Sequence, residues 1–183
     1  MARIQPVEPE EQNAEQRAAH EEGVRRYGRM TNMKRTLLHS LPSYHALMEF
    51  YPVAEIVAPF LGPRATNVFL QAISSESDCL VCSTYFRRHL VNAGEDPDKM
   101  QLTEREELLA EFGRLISRER SRVPDEVYAR LAAEFTDEQM VALTALGALM
   151  VATNVFNNVL DVDLDEYLFA YTKEGAATHG KPE

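Results

Sequence analysis

The chain has 183 residues, which is enough for one domain with a sizeable core, and it carries 19 basic and 29 acidic side chains. The net charge of −10 disfavours binding to nucleic acids and anionic membranes, because both repel an acidic surface. The first residues contain no apolar run of the kind found in signal peptides, so we expect a cytoplasmic, reducing location, where a cysteine pair is more often catalytic, redox-sensing or metal-binding than structural.

The first third of the chain predicts a tail followed by several helices. Residues 1–10 contain two prolines and several charges with little to bury, and they predict a flexible tail. Residues 11–28 are rich in Ala, Glu, Gln and Arg, which favours a polar helix. Apolar side chains recur at helical spacing within residues 29–61. There His45 and Glu49 share one helix face, either as an exposed hydrogen-bonded pair or as a proton relay toward the cysteines.

Capping signals mark the helices of the remaining chain. A helix over residues 63–73 leads to the stretch that holds the cysteines. Thr103 with Glu106, and Thr136 with Gln139, have the spacing of capping boxes and predict the starts of two later helices. The second of these, over about residues 137–160, is apolar nearly all round and long enough to cross a membrane.

Three asparagines in the last turns of that apolar helix argue against a membrane span, as does the absence of a companion span elsewhere in the sequence. They are Asn154, Asn157 and Asn158. A helix of the core, or of a subunit interface, is the better prediction.

The acidic run after this helix resembles the start of a calcium-binding loop. Its sixth position is Glu166 instead of glycine and its twelfth is Thr172 instead of glutamate, so we expect no calcium site. A zinc site would need four matched ligands, and the sequence has no second cysteine or histidine pair. We therefore expect neither a metal nor another cofactor.

No stretch combines strict alternation of apolar and polar residues with β-branched enrichment, so strands are not predicted. The expected fold class is all-α: a single-domain multi-helix bundle of about seven or eight helices over residues 11–171. Residues 172–183 are expected to form a flexible C-terminal tail.

Both cysteines of the chain, Cys79 and Cys82, lie in one Cys-x-x-Cys motif. Ser75 with Asp78 has the spacing of a capping box and predicts a helix that begins just before the motif. Free backbone N–H groups and the helix dipole favour a thiolate at such a position, and side chains three residues apart are close enough to close a disulfide. The motif therefore predicts a redox-active dithiol.

Three other interpretations of the motif remain open. The cysteines could form a structural disulfide or a pair of inert buried thiols, since cysteine is among the most buried residue types. A zinc site is disfavoured by the missing ligands. A thioredoxin-like motif should follow a strand, and no such strand is predicted.

The order of these features resembles the carboxymuconolactone decarboxylase family and its alkylhydroperoxidase D-like branch, over about residues 22–168. The resemblance rests on residues 28–42, on the Cys-x-x-Cys motif and the apolar helix after it, and on three later stretches: Leu102-Thr-Glu-Arg-Glu, Phe135-Thr-Asp-Glu-Gln, and Phe156-Asn-Asn ahead of Leu164-Asp-Glu. It implies an all-helical fold, a homo-oligomer (dimer, trimer or hexamer), and thiol-dependent peroxidase activity on hydrogen peroxide or small organic hydroperoxides.

By the same resemblance, Cys82 would attack the peroxide, Cys79 would resolve the sulfenate, and an external dithiol or protein reductant would restore the pair. Peroxidase members of the family place a histidine four residues after the second cysteine and a glutamate twelve residues before the first. Here those positions hold Phe86 and Asn67, neither of which carries a proton. His89, His45 and Glu76 are the other candidates for a proton relay.

Two further functions fit the sequence less closely. One is a lactone decarboxylase-like enzyme, which the cysteine pair argues against because that chemistry relies on acid and base residues. The other is a non-enzymatic helical oligomer whose dithiol senses the redox state.

Overall fold

The computed structural model describes residues 2–118 and 121–173, and within them it contains nine α-helices, two short 3-10 helices and no strand. The all-α class is therefore confirmed, with nine helices where seven or eight were expected. The α-helices are, in chain order, α1 (Ala14–Tyr27), α2 (Asn32–Leu37), α3 (Leu41–Met48), α4 (Phe50–Leu61), α5 (Pro63–Glu76), α6 (Leu80–Asn92), α7 (Glu104–Ser117), α8 (Asp125–Glu134) and α9 (Asp137–Leu160). The 3-10 helices are Pro9–Glu11 and Glu166–Tyr171.

The region of residues 29–61 divides into three helices, α2, α3 and α4, which accounts for the higher number. Pro42 and Pro52 lie in the first turns of α3 and α4. A proline has no N–H to donate to the preceding turn, so it is tolerated at a helix start and prevents one continuous helix.

The core is built around α5, which packs against α4, α6, α7 and α9. Phe69 and Ile73 on α5 are fully buried. Two glycines allow its neighbours to approach closely: a Cβ on Gly113 of α7 would lie 3.0 Å from the backbone oxygen of Phe69, and one on Gly147 of α9 would lie 3.1 Å from the Phe69 ring. This packing holds the end of α5, and so the position at which the cysteine motif begins.

Phe69→Ala is expected to lower the free energy of unfolding by about 3–5 kcal/mol, because it removes a fully buried ring and leaves a cavity. The ring also stacks on Phe112, with centroids 5.8 Å apart. Urea unfolding followed by circular dichroism measures the loss. Phe169→Ala is the matched control at a ring that is 53% exposed, and we expect it to cost less than about 1 kcal/mol. Equal losses would contradict the central place of Phe69.

The N-terminal segment, predicted to be a flexible tail over residues 1–10, is packed against the helices from residue 2 onward. Ala2 and Val7 are buried. The N–H of Arg3 donates to the Leu160 carbonyl at the end of α9, and the N–H of Val7 donates to the Arg35 carbonyl. Composition did not predict this, because two buried apolar side chains and two helix-end carbonyls are enough to order a short segment. At the other end, residues 174–183 of the expected C-terminal tail lie outside the described residues.

The long apolar helix α9 belongs to the core on one side, as predicted. Met140, Leu143, Leu146 and Met150 are buried, whereas Val141, Val155 and Val159 are more than half exposed on the other side. It is the one helix of the described chain that is long and apolar enough to cross a membrane by length and composition. The expectation of no membrane span stays a prediction.

Candidate functional site

The cysteine helix α6 begins one turn later than the sequence predicts. Ser75 belongs to the last turn of α5, where the buried Ser74 hydroxyl donates to the Leu70 carbonyl, so the expected capping box of Ser75 and Asp78 does not form. Asp78 forms the turn with a positive φ of 49°. Cys79 is itself the N-cap of α6, and its Sγ accepts a hydrogen bond from the Cys82 N–H at 3.5 Å. A thiol thus occupies the place that a hydroxyl or carboxylate usually takes.

Both thiols are free and buried, with exposed fractions of 0% for Cys79 and 5% for Cys82. Asn157 of α9 reaches the pair: its Nδ2 lies 3.2 Å from the Cys82 Sγ and 3.6 Å from the Met33 Sδ. The Asn157 Oδ1, and both polar side-chain atoms of the fully buried Asn154, have no hydrogen-bond partner among the described residues. The sulfur of Cys82 therefore has an amide donor pointed at it inside the core.

The two thiols have opposite pKa shifts. The pKa of Cys79 is lowered, because its sulfur accepts hydrogen bonds from the Cys82 thiol, from the backbone N–H groups of Cys82 and Val81, and from Asn157. The pKa of Cys82 is raised, because its thiol donates to the Cys79 sulfur and because burial disfavours its charged form. A single negative charge on the pair therefore belongs to Cys79, and Cys82 holds the shared proton.

A small pocket of about 80 Å³ opens beside Cys82. Its walls are mostly aromatic and apolar, with one lysine, and Cys79 does not contribute to them. The lining residues are Thr31, Met33, Lys34, Leu47, Met48, Phe50, Tyr51, Val81, Cys82, Tyr85, Phe86, Met150, Thr153, Tyr167 and Leu168. A molecule in this pocket meets Cys82 first, while Cys79 stands behind it at the helix start.

No protein-family model and no curated protein matches this sequence. Solved structures do match its fold. The AhpD core of an uncharacterized peroxidase-related protein from Ralstonia eutropha JMP134 has a TM-score of 0.71 at 19% identity, over 91% of this chain and 95% of that one. A peroxidase-related protein from Silicibacter sp. TM1040 has a TM-score of 0.69 at 12% identity, over 85% and 87%. The chain has the alkylhydroperoxidase AhpD-like fold.

The debrominase Bmp8 shares this AhpD-like fold, with a TM-score of 0.70 at 15% identity over 92% of this chain and 95% of that one. A cysteine-to-alanine variant of Bmp8 in complex with 2,3,4-tribromopyrrole matches equally well, with a TM-score of 0.70. At 12–19% identity these likenesses concern the fold. The activities named are those of the other proteins.

The relay positions of AhpD-like peroxidases are occupied here by groups that do not titrate. Phe86 is buried in the pocket wall, and the Asn67 amide donates to the Pro63 carbonyl within α5. His89 stands on α6 with its ring against Tyr85 and does not line the pocket. Burial, together with the charge of Arg88, lowers the pKa of His89.

The other two relay candidates of the AhpD-like interpretation also lie away from the pocket. His45 is exposed on α3, with its ring edge against Tyr44. Glu76 accepts from Arg118 in an ion pair of 2.9 Å at the end of α5. The structure thus brings Cys79 and Cys82 together and leaves all three candidates outside the pocket lining.

Two residues of the site were not identified as functional from the sequence: Asn157, which contacts the Cys82 sulfur, and Lys34, which lines the pocket. The sequence identified Asn157 only as a polar residue in an apolar helix. The available signal was the spacing of Asn154 and Asn157, which places both on one face of that helix. Lys34 lies between a methionine and an arginine in a short stretch, where a lysine is ordinarily solvated. No pattern in the sequence distinguishes this lysine from a surface one.

Asn157→Leu is expected to slow oxidation of the cysteine pair by peroxide about tenfold, because the amide donor to the Cys82 sulfur is lost. Leucine has a similar volume and also removes the unpartnered Asn157 oxygen, so we expect the stability to be kept. Rapid quenching with an alkylating reagent measures the rate. Asn158→Leu is the control on the same helix, since the Asn158 amide donates to the Ser77 carbonyl at an exposed position. Equal rates for the two variants would contradict a role for Asn157.

Proposed function

We propose that the protein is a thiol-dependent oxidoreductase that reduces hydrogen peroxide or small organic hydroperoxides through Cys79 and Cys82. The observation that supports this most is the position of Cys82, whose side chain lines a small apolar pocket while a second thiol stands three residues earlier at the helix start. An external dithiol or a protein reductant returns the pair to the reduced form.

In the reaction proposed, the Cys82 sulfur attacks the terminal oxygen of the hydroperoxide and the O–O bond breaks, leaving a sulfenic acid on Cys82. The Cys82 proton passes to the Cys79 thiolate and from there to the departing alkoxide, which leaves as an alcohol. Cys79 is then a thiolate again and attacks the Cys82 sulfur, expelling hydroxide, which takes a solvent proton. One hydroperoxide and two thiols give one alcohol, one water and one disulfide.

The internal proton transfer removes the need for a histidine and a glutamate at the positions of Phe86 and Asn67. Cys79 is the group with the lowered pKa, and its sulfur already accepts a hydrogen bond from the Cys82 thiol. A base that is unprotonated before the reaction starts is within hydrogen-bond reach of the Cys82 proton, which is the first requirement for general base catalysis. Cys79 would therefore act first as the base and then as the resolving thiol.

The test first measures how many thiols one equivalent of peroxide oxidises, and then measures turnover. The reduced protein is mixed with one equivalent of peroxide and quenched in denaturant with an alkylating reagent, and mass spectrometry counts the free thiols. We expect two free thiols before and none after, followed by continuous peroxide consumption once dithiothreitol is supplied. Thiols that stay reduced would contradict the proposal. Reversible oxidation without continuing consumption would support the redox sensor instead.

A second candidate function is reductive removal of a halogen from a small aromatic ring, by the same dithiol. The aromatic and methionine walls of the pocket suit an apolar ring, and the debrominase of the same fold motivates the choice of substrate. The balance is one aryl bromide and two thiols giving the debrominated ring, bromide, a proton and a disulfide. Bromide release from a bromopyrrole, compared with peroxide consumption under the same reductant, distinguishes the two functions.

A further inference from the structure

Lys34 is a buried cation in the wall of the Cys82 pocket. It is 2% exposed, and the Thr31 hydroxyl that caps α2 accepts its backbone N–H. Its Nζ donates to the Arg29 carbonyl at 3.2 Å and lies 4.7 and 4.8 Å from the ring centres of Tyr27 and Tyr51. The charge of the Asp165 carboxylate acts on it, but among the described residues no carboxylate forms a direct ion pair with it.

An ammonium group has three donors, and here the Arg29 carbonyl takes one of them. Burying a charge without a counter-ion costs several kcal/mol, which the two ring faces offset in part. Burial lowers the pKa of Lys34 to about 8, opposed by the charge of Asp165 and assisted by that of Arg29. The side chain is therefore still mainly protonated at neutral pH, and it stands in the pocket as a positive charge with unused donors.

Tyr167 contributes a second polar group to the same wall. Its hydroxyl is buried and has no hydrogen-bond partner within the described residues. The guanidinium of Arg29 lies 4.0 Å from the centre of its ring, which holds the ring in place. An unpartnered buried hydroxyl calls for an explanation, and one explanation is a bound molecule that accepts a hydrogen bond from it.

We propose that the pocket binds small carboxylate-bearing organic molecules, with the carboxylate on Lys34 and the Tyr167 hydroxyl and the apolar body against the methionine and aromatic walls beside Cys82. A pocket of about 80 Å³ limits the ligand to a few carbon atoms beyond the carboxylate. The anion would supply a counter-ion in direct contact with Lys34, which Asp165 does not. If the proposed function holds, on which this inference about the substrate rests, a carboxylate site makes the substrate a small organic hydroperoxide that carries a carboxylate.

The test compares isobutyrate with isobutyramide, which have the same shape and differ in charge, by NMR titration of the reduced protein. We expect isobutyrate to bind about 10- to 100-fold more tightly than the amide at pH 7, as is typical of a hydrogen bond to a charged group. This comparison uses the unaltered protein, so it does not depend on any variant folding. Equal affinities for acid and amide would overturn the proposal.

Lys34→Met keeps the length of the side chain and removes the charge. We expect it to abolish the preference for isobutyrate over isobutyramide. Tyr167→Phe should weaken the binding of isobutyrate about three- to tenfold. The control Tyr128→Phe, at an exposed tyrosine of α8, should leave this affinity unchanged. A preference that survives Lys34→Met would also overturn the proposal.

The affinity for isobutyrate should fall as the pH rises above about 8, where Lys34 loses its proton. Several titratable or charged groups surround it, and each can add to the profile: Tyr27 of α1, Arg29, Tyr51 of α4, Cys82 and Tyr85 of α6, and Asp165 and Tyr167 of the C-terminal segment. The profile of Lys34→Met contains the contributions of those groups alone. The difference between the two profiles isolates Lys34, and identical profiles would contradict its role.

Binding and turnover are separate readouts. Isobutyrate selectivity without peroxide consumption would reject the proposed function and leave the anion site in place. Peroxide consumption without any selectivity for the acid would reject the anion site and leave the proposed function in place.

Discussion

Cys82→Ser is expected to abolish peroxide consumption and disulfide formation entirely. Its side chain is the one of the two cysteines that lines the pocket, and a serine hydroxyl is too weak a nucleophile to open an O–O bond. The substitution changes one atom in a buried position, so the fold should be kept. Peroxide consumption with dithiothreitol as the reductant measures the effect, and the background rate without protein is the expected result.

Ser83→Ala is the matched control for this variant, because Ser83 is the next residue of α6 and its hydroxyl donates only to the Leu80 carbonyl. It should retain the rate of the unaltered protein. Equal unfolding midpoints for the two variants would show that a loss of activity is chemical. Peroxide consumption that persists in Cys82→Ser would remove Cys82 from the reaction.

Cys79→Ser is expected to permit one oxidation per chain and then stop. Without a second thiol the sulfenic acid on Cys82 cannot be resolved within the chain. The first oxidation should also be slower by about 100-fold, since Cys79 is the thiolate that accepts the Cys82 proton and general base catalysis contributes on that order. Trapping with dimedone, read by mass spectrometry as one label on Cys82, measures the single event.

The pKa shifts make the comparison of the two cysteine variants decisive for their roles. Cys79 carries the lowered pKa, whereas Cys82 lines the pocket, so accessibility and thiolate character point to different cysteines. If Cys79→Ser prevents even the first oxidation and Cys82→Ser accumulates a trapped sulfenic acid on Cys79, the roles are reversed. Continuous turnover in both variants would end the dithiol mechanism.

Local sequence determined the helices and the cysteine motif. The capping boxes at Thr103 and Thr136 form as predicted, because such caps depend on residues three apart in the chain. Cys79 and Cys82 lie at the start of a helix, as expected, but the N-cap is Cys79 itself. The prediction of a cap at Ser75 was wrong, because α5 runs on to Glu76 under the packing of Phe69 and Ile73 against α7 and α9. Tertiary contacts there accompany an α5 that ends three residues beyond the predicted end at residue 73.

Only the tertiary structure decided what surrounds Cys82. The Asn157 amide belongs to α9, 75 residues after Cys82 in the chain. No local sequence pattern predicts which face of α9 packs against the Cys82 sulfur. The local sequence around Lys34 suggests a solvated side chain, but Lys34 is buried because Tyr27 of α1 and Tyr51 of α4 pack around its ammonium group. Periodicity and capping are properties of adjacent residues, whereas burial and the environment of a charge depend on segments far apart in the chain.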